Sequence, residues 1–289
     1  MKKLFFIIPT LMLLSGCTNV NIQTPDIIAT NFPAYDFARQ LTEDDSAIKM
    51  LIPPGSESHT YEPTPKDIID IENSKLFIYT GGKSDSWIDE ILKSIDTEKT
   101  TVLNLMDVCT PEFDRKGYDE HIWTSPKNAV KMTESIYDAL CKIDAENKEI
   151  YKNNLDKYWE RLYSLDNELS SLNTNSRLLI FADRFPFLHL AHDYNFDYIS
   201  PFSGCSEHNE PSINDVNKVI DAVIDNNADT IFHIEFSNQE LADTVCEATG
   251  AKKALLHSCH NVTVDEFNSG ITYYELMNKN INTLREALN

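Results

Sequence analysis

Along the chain, short runs of apolar residues alternate with longer stretches in which apolar positions recur every three or four residues. The short runs predict strands at "DIIATNF", "AIKMLI", "KLFIYTG" and "TTVLNL" in the first half. In the second half they fall at "RLLIFAD", "DYIS", "DTIFHIEF" and "KKALLHS". The longer stretches, such as "TPKDIIDIENS" and "SPKNAVKMTESIYDALCKI", read as amphipathic helices. Thr64 and Ser125 stand at N-cap positions, each followed by a proline at the first helical turn. Strand–helix alternation of this kind predicts α/β lobes with mainly parallel sheets.

The middle of the chain breaks the alternation. From Ala145 to about Leu172 there is no glycine, proline or strand pattern. Tyr151, Leu155, Tyr158, Leu162, Leu165, Leu169 and Leu172 recur at steps of four and three, which lays one stripe along a helix. At ~1.5 Å per residue such a helix runs roughly 40 Å. It is expected to be a rigid connector lying against both lobes; a coiled-coil dimer seam is the other reading of the stripe. The expected organisation is therefore residues 1–16 as a signal peptide, 17–25 as a tether, 26–144 as an N-terminal lobe, 145–173 as the connecting helix and 174–289 as a C-terminal lobe.

The first residues change the picture of where the protein works. Lys2 and Lys3 precede an apolar run from Leu4 to Leu14, too short for a mature membrane span of ~20 residues. It reads as an export signal. The stretch Leu14-Ser15-Gly16-Cys17 resembles a bacterial lipobox, which implies cleavage before Cys17, a lipid on its sulfur and a soluble domain anchored to the outer face of a membrane. The net charge of −21 excludes a basic nucleic-acid footprint. Cysteines 109, 141, 205, 246 and 259 show no regular spacing, and five cannot all pair within one chain, so a disulfide framework is not expected.

In open α/β sheets ligands bind beyond the carboxyl ends of the strands. Loops in that position carry the candidate chemistry. His59 lies in "IPPGSESHTYEPTPKDI" and His121 in "GYDEHIWTSPKNA", each between a strand and a capped helix. "FADRFPFLHLAHDYNFD" and "SPFSGCSEHNEPSIND" are further polar loops, and "LLHSCHNV" (255–262) packs His257, Cys259 and His260 together near the end of the chain. Imidazole and thiolate suit zinc, and carboxylates widen the range toward manganese.

The motifs "PPGSESHTYEPTPKDI", "DEHIWTSPKNA", "FADRFPF…DYNFDY", "NEPS", "IFHIE" and "YYELMNKNINTLREAL" together resemble the zinc/manganese-type solute-binding lipoproteins of bacterial ABC importers, over almost the whole mature chain. The resemblance implies two α/β lobes joined by a long backbone helix, with a metal between them and two ligands from each lobe. It assigns His59 and His121 as the N-lobe ligands. The family's third ligand, a His or Glu three positions before the phenylalanine of the third loop, falls on Ala182, which cannot bind metal. The fourth, an aspartate after the last strand, falls on His257. The family's N-lobe motif tends to carry an aspartate where this chain has Ser125.

Cys205 is the first choice to replace the missing donor, and Asp183 the next. His208, Cys259 and Glu235 are weaker candidates, and a Cys205–Cys259 disulfide is a rival account of both thiols. Asp183 and Arg184 read better as a structural ion pair at the lobe interface. His189 and His192 read as helix packing or surface residues, and His233 as a core residue. The expected set is His59, His121, Cys205 and His257 around Zn2+, with Mn2+ as the alternative cargo. The expected role is a monomeric receptor that passes metal to a membrane permease. With no "HExxH", a hydrolase is not expected, and a "GxxxxGK[ST]" motif for powering transport is lacking as well. A surface adhesin with a vestigial metal site is the remaining alternative.

Overall fold

The computed structural model describes residues 25–42, 45–114, 117–202 and 211–289. The export signal, Cys17, Cys205 and His208 lie outside them. All eight expected strands form. The N-terminal sheet contains β1 (Ile27–Ala29), β2 (Ile48–Met50), β3 (Leu76–Tyr79) and β4 (Thr101–Asn104) in the order β2-β1-β3-β4, with every neighbour parallel. Period-two alternation sends Ile27, Ala29, Leu76 and Ile78 to one core, and Ile28 and Phe77 to another on the opposite face. A small antiparallel pair, β5 (Phe113–Asp114) and β6 (Gly117–Tyr118), leads into His121.

In the C-terminal lobe β7 (Leu178–Ile180) pairs parallel with β8 (Asp197–Ile199), and β9 (Thr230–His233) with β10 (Lys252–Leu255). A parallel bridge between Phe181 and Phe232 joins the two pairs. Around the sheets lie α1 (Phe32–Leu41), α2 (Pro65–Asn73), α3 (Ile88–Leu92), α4 (Pro126–Ile143), α5 (Lys148–Ser170), α6 (Leu188–Tyr194), α7 (Ile213–Asp225), α8 (Glu240–Thr249), α9 (Val264–Asn268) and α10 (Tyr273–Ala287). The protein is thus two α/β lobes with parallel sheets, crossed by one long helix.

That helix, α5, buries the stripe read from the sequence: Tyr151, Leu155, Tyr158, Leu162, Leu165 and Leu169. They pack within the chain against α1, α4 and α10, so the stripe is core and not a dimer seam. Asn154 Nδ2 donates to Leu41 O of the first lobe (3.1 Å), and Tyr194 OH of the second lobe donates to Asp166 on α5 (2.9 Å). The helix therefore grips both lobes by hydrogen bonds as well as by packing.

The helices led by Pro65 and Pro126 differ at their starts. Thr64 forms a full capping box with Asp67. Ser125 occupies the N-cap position of α4, but its side chain makes no capping bond; its hydroxyl donates to Asp193 of the other lobe instead. A residue that reads as a local cap is used as a tie between lobes.

Candidate metal centre

Each histidine of the N-terminal wall stands where a loop leaves a sheet. His59 sits in a single 3-10 turn, Ser58–Thr60, after the Pro53-Pro54-Gly55 bend, and Glu57 caps that turn by accepting the His59 N–H (3.3 Å). Gly55 adopts φ +81°, in the left-handed region that favours glycine, and its N–H donates to Val262 O (2.8 Å) across the cleft. His121 precedes another 3-10 turn, Ile122–Thr124, and is itself buried.

Hydrogen bonds fix which nitrogen each ring offers. His121 Nδ1 lies 2.6 Å from Asp119 Oδ1. A carboxylate only accepts, so Nδ1 carries the proton and Nε2 keeps its lone pair. Burial raises the pKa of Asp119, but the adjacent His121 outweighs it and holds the carboxyl below its ordinary value. His59 Nδ1 lies 2.6 Å from Ser84 Oγ, and that hydroxyl donates to Glu120 Oε1. With its one hydrogen committed to Glu120, Ser84 accepts the Nδ1–H of His59. Burial opposes ionisation of Glu120 too, yet the nearby imidazoles of His59 and His121 and the hydrogen bonds from Ser84 keep it far below the usual carboxylate range. Both imidazoles thus present Nε2 and are oriented by carboxylates, an arrangement common behind metal-ligating histidines.

The third member of the cluster is His260. His59, His121 and His260 each place one ligand atom so that all lie within 4.8 Å of one another. The His260 ring is buried 5.0 Å from His59, 5.4 Å from His121 and 4.9 Å from Trp123, centroid to centroid. Burial, reinforced by the two neighbouring histidines, pushes its pKa well below the ordinary value, so it stays neutral and able to donate. At Zn–N distances of ~2.0–2.1 Å, nitrogens of a tetrahedral site lie about 3.3 Å apart. A small inward movement of the three rings would therefore close on an ion.

His257, the residue aligned with the family's last ligand, is not part of this cluster. Its Nδ1 accepts the Cys259 N–H (2.9 Å), while its backbone N–H and carbonyl are both held by Asn280 (2.8 and 2.7 Å). It lines a separate cavity beside β10 and α10. Between the two histidines Cys259 takes φ +60°, a rare left-handed conformation for a residue with a Cβ, and the chain turns there. In "LLHSCHNV" the turn at Cys259 sends His260 into the cleft and leaves His257 outside it. Local torsion decides between two histidines three residues apart, and no periodicity in the sequence reports it.

The segment carrying His260 belongs to the second lobe by connectivity but is fastened to the first. Trp123 Nε1 donates to Ser258 O (2.8 Å), and Phe32 N–H donates to His260 O (3.3 Å). Asn261 Nδ2 donates to both Pro53 O and Ser56 O (2.8 Å each). Tyr273 OH in turn donates to Trp123 O (2.6 Å).

Among the described residues, the other carboxylate candidates are committed. Asp183 accepts the N–H of Arg184 (2.8 Å) and of Ile234 (3.1 Å), which fits a structural role. Arg184 lies 3.9 Å from Asp183 and 3.6 Å from Glu57 of the opposite lobe, an ion pair across the interface. Glu235 accepts from the Ser258 N–H (2.7 Å) and hydroxyl. Ala182 is buried in a hydrophobic cluster. Cys259 is a free, fully buried thiol whose pKa burial raises well above its ordinary value, so it is not a ready thiolate. His189 is buried between Asn128 and Asp119 O, His192 is exposed beside Glu112, and His233 is buried near Ile234 O.

The three histidines open onto a cleft of about 20 Å³, bordered also by Glu57, Arg184 and Glu235. That is room for about one water-sized body. The chemistry available is capture of a single cation by neutral imidazoles.

Comparison with known proteins shows the family to which the chain belongs. The sequence profile of the family described as ZnuA, zinc-uptake complex component A periplasmic, matches residues 27–287. The "High-affinity zinc uptake system protein ZnuA" of Bacillus subtilis is 27% identical over 99% of this chain and 97% of its own length. The "Zinc-binding lipoprotein AdcA" of Streptococcus pneumoniae is also 27% identical over 99% of this chain, which spans 61% of that longer relative. The crystal structure of the Zn(II)-bound ZnuA-like domain of Streptococcus pneumoniae AdcA superposes with a TM-score of 0.79 at 27% identity, covering 91% of this chain and 98% of that one.

Proposed function

The chain belongs to the zinc-uptake complex component A family, and from that premise we propose that it is the extracytoplasmic receptor of a zinc importer. It captures one Zn2+ in the cleft between its lobes and hands it to a membrane permease powered by a separate ATPase. The observation that carries this reading is the convergence of His59, His121 and His260, whose ligand atoms lie within 4.8 Å of one another, two of them fixed as Nε2 donors. Nitrogen donors favour zinc over manganese, which prefers oxygen.

The fourth position belongs, in this reading, to Cys205, whose thiolate would reach zinc at ~2.3 Å. The commitment of Asp183 and Glu235 to backbone and hydroxyl donors supports it by removing the nearest rivals. His257 gives way to His260 for the reason set out above. Cys17 carries the lipid anchor, and residues 18–25 tether the domain to the membrane as a monomer. Among the described residues no helix is long and apolar enough to cross a membrane.

Competition of the purified protein with a chromogenic zinc chelator at pH 7.5, repeated with manganese, tests the reading. One zinc per chain, bound far more tightly than manganese, is expected. Equal or tighter manganese binding, or no metal uptake, would overturn it.

A further inference from the structure

Glu120 stands beside a metal-binding histidine in sequence, but it serves a different one in space. Its Oε2 accepts the Ser84 N–H (3.0 Å) and its Oε1 accepts the Ser84 hydroxyl, which accepts in turn from His59. The loop that delivers Ser84 is shaped around this carboxylate. Gly82 takes φ +96°, and a Cβ there would overlap the Glu120 side chain, so only glycine lets the loop close over it. Asp85 accepts the Gly81 N–H (2.9 Å) and holds the base of the same loop. Glu120 is buried, and these bonds compensate the cost of placing a carboxylate there.

We propose that Glu120, acting through Ser84, is a positioning residue that sets the tautomer of His59 and thereby its competence to bind metal. The proposal rests on the zinc-capture reading for its consequence and on the hydrogen-bond chain alone for its mechanism. Serine has one hydroxyl hydrogen. While Glu120 takes it, Ser84 can only accept from His59, the ring proton stays on Nδ1, and the Nε2 lone pair faces the cleft. With glutamine at position 120 the Ser84 N–H still requires the side-chain oxygen. The amide NH2 then falls on Ser84 Oγ as a donor. Ser84 turns its hydrogen to His59 Nδ1, the single ring proton moves to Nε2, and the donor is blocked. Removing the hydroxyl should do less harm, because Glu120 Oε1 already lies 3.4 Å from His59 Nδ1 and can take the proton directly.

The experiment records long-range ¹H–¹⁵N correlation spectra of the metal-free protein at pH 7.5, with His59 assigned by loss of its signals in a His59→Gln variant. Zinc affinity is measured alongside by chelator competition. The wild type is expected to show His59 as the Nδ1–H form. Glu120→Gln is expected to shift it to Nε2–H and to lower zinc affinity roughly 10–100-fold, the usual scale for an outer partner of a ligand. Ser84→Ala should keep the Nδ1–H form and lose less than about tenfold, within that same scale. Glu120→Asp, which keeps the charge, should retain the wild-type tautomer and carries the test should the glutamine variant fold poorly. An unchanged His59 tautomer in Glu120→Gln, or its loss in Glu120→Asp, would overturn the proposal. Because the spectra need no metal, a wild type that took up no zinc would refute the zinc reading without touching the relay.

Discussion

The two walls of the cleft are built on different plans. The N-terminal wall places His59 and His121 on short turns between a strand and a helix, and backs both rings with carboxylates, Glu120 through Ser84 and Asp119 directly. The C-terminal wall contributes His260 from an irregular loop, turned by a left-handed Cys259 and fastened by hydrogen bonds to the opposite lobe. The first wall is preorganised by its own lobe, while the second is positioned by contacts across the cleft. A receptor built this way can keep two donors fixed and let the rest adjust, so changes in metal occupancy should move the C-terminal loops more than the sheets.

Substitutions sharpen this contrast, beginning with the largest expected effect. His59→Ala or His121→Ala should lower zinc affinity by at least about 100-fold, more than the 10–100-fold of losing an outer partner. A chelator competition showing less would mean that the preorganised wall is not the anchor. Trp123→Ala should cost about 3–5 kcal/mol in denaturant unfolding, because it removes a fully buried indole. It should weaken zinc binding too, since Ser258 O loses its donor beside His260. If stability falls while affinity holds, the second wall does not depend on its docking. Cys205→Ala should weaken zinc binding if the thiolate closes the site; unchanged affinity would assign the fourth position to another group.

Acidity should separate cargo from fold. Imidazole must be neutral to bind, so zinc affinity is expected to fall at least about tenfold between pH 7 and pH 5. Equal affinity at both would contradict a histidine site. Asp67 governs a different window. Burial opposes its ionisation, but hydrogen bonds from Lys49, Thr64 and Tyr61 lower its pKa to about 2, below the 3.8 of an unperturbed aspartate. A carboxylate with a lowered folded pKa stabilises the protein fully above 3.8, and that contribution is lost as pH falls from 3.8 toward 2. Asp67→Asn should therefore flatten stability across that acid range and leave zinc affinity unchanged. The smallest effect belongs to Thr64→Ala, which should cost about 1 kcal/mol of stability by removing a helix cap, again without changing zinc affinity.

How much of this was legible in the sequence follows from the same contrast. The strands, the proline-led helices and the buried stripe of α5 are set by local periodicity and propensity, and all appear at their expected places. His59 and His121 could be singled out because each stands between a strand and a helix start, a setting that sequence records. His260 could not be separated from His257, because the choice depends on one backbone torsion at Cys259 and on the pull of Asn280 and Asn261 from distant elements. Ser84 and Glu120 were missed as partners of His59. They lie 25 residues after it and, for Glu120, 36 residues beyond Ser84, and only the folded loops bring them together. The glycine pair at 81–82 was the one available signal, since a buried loop closing over a side chain needs positive φ. Ser125 shows the converse error, a correct position with a different use, because a tertiary partner, Asp193, competed successfully with the local cap.

The central claim is that the last wall of the site is His260 and not His257. Metal content by mass spectrometry after purification without chelator, on the wild type, His260→Ala and His257→Ala, tests it most directly. The account expects one zinc per chain in the wild type and in His257→Ala, and little or none in His260→Ala. Zinc retained in His260→Ala and lost in His257→Ala would contradict it.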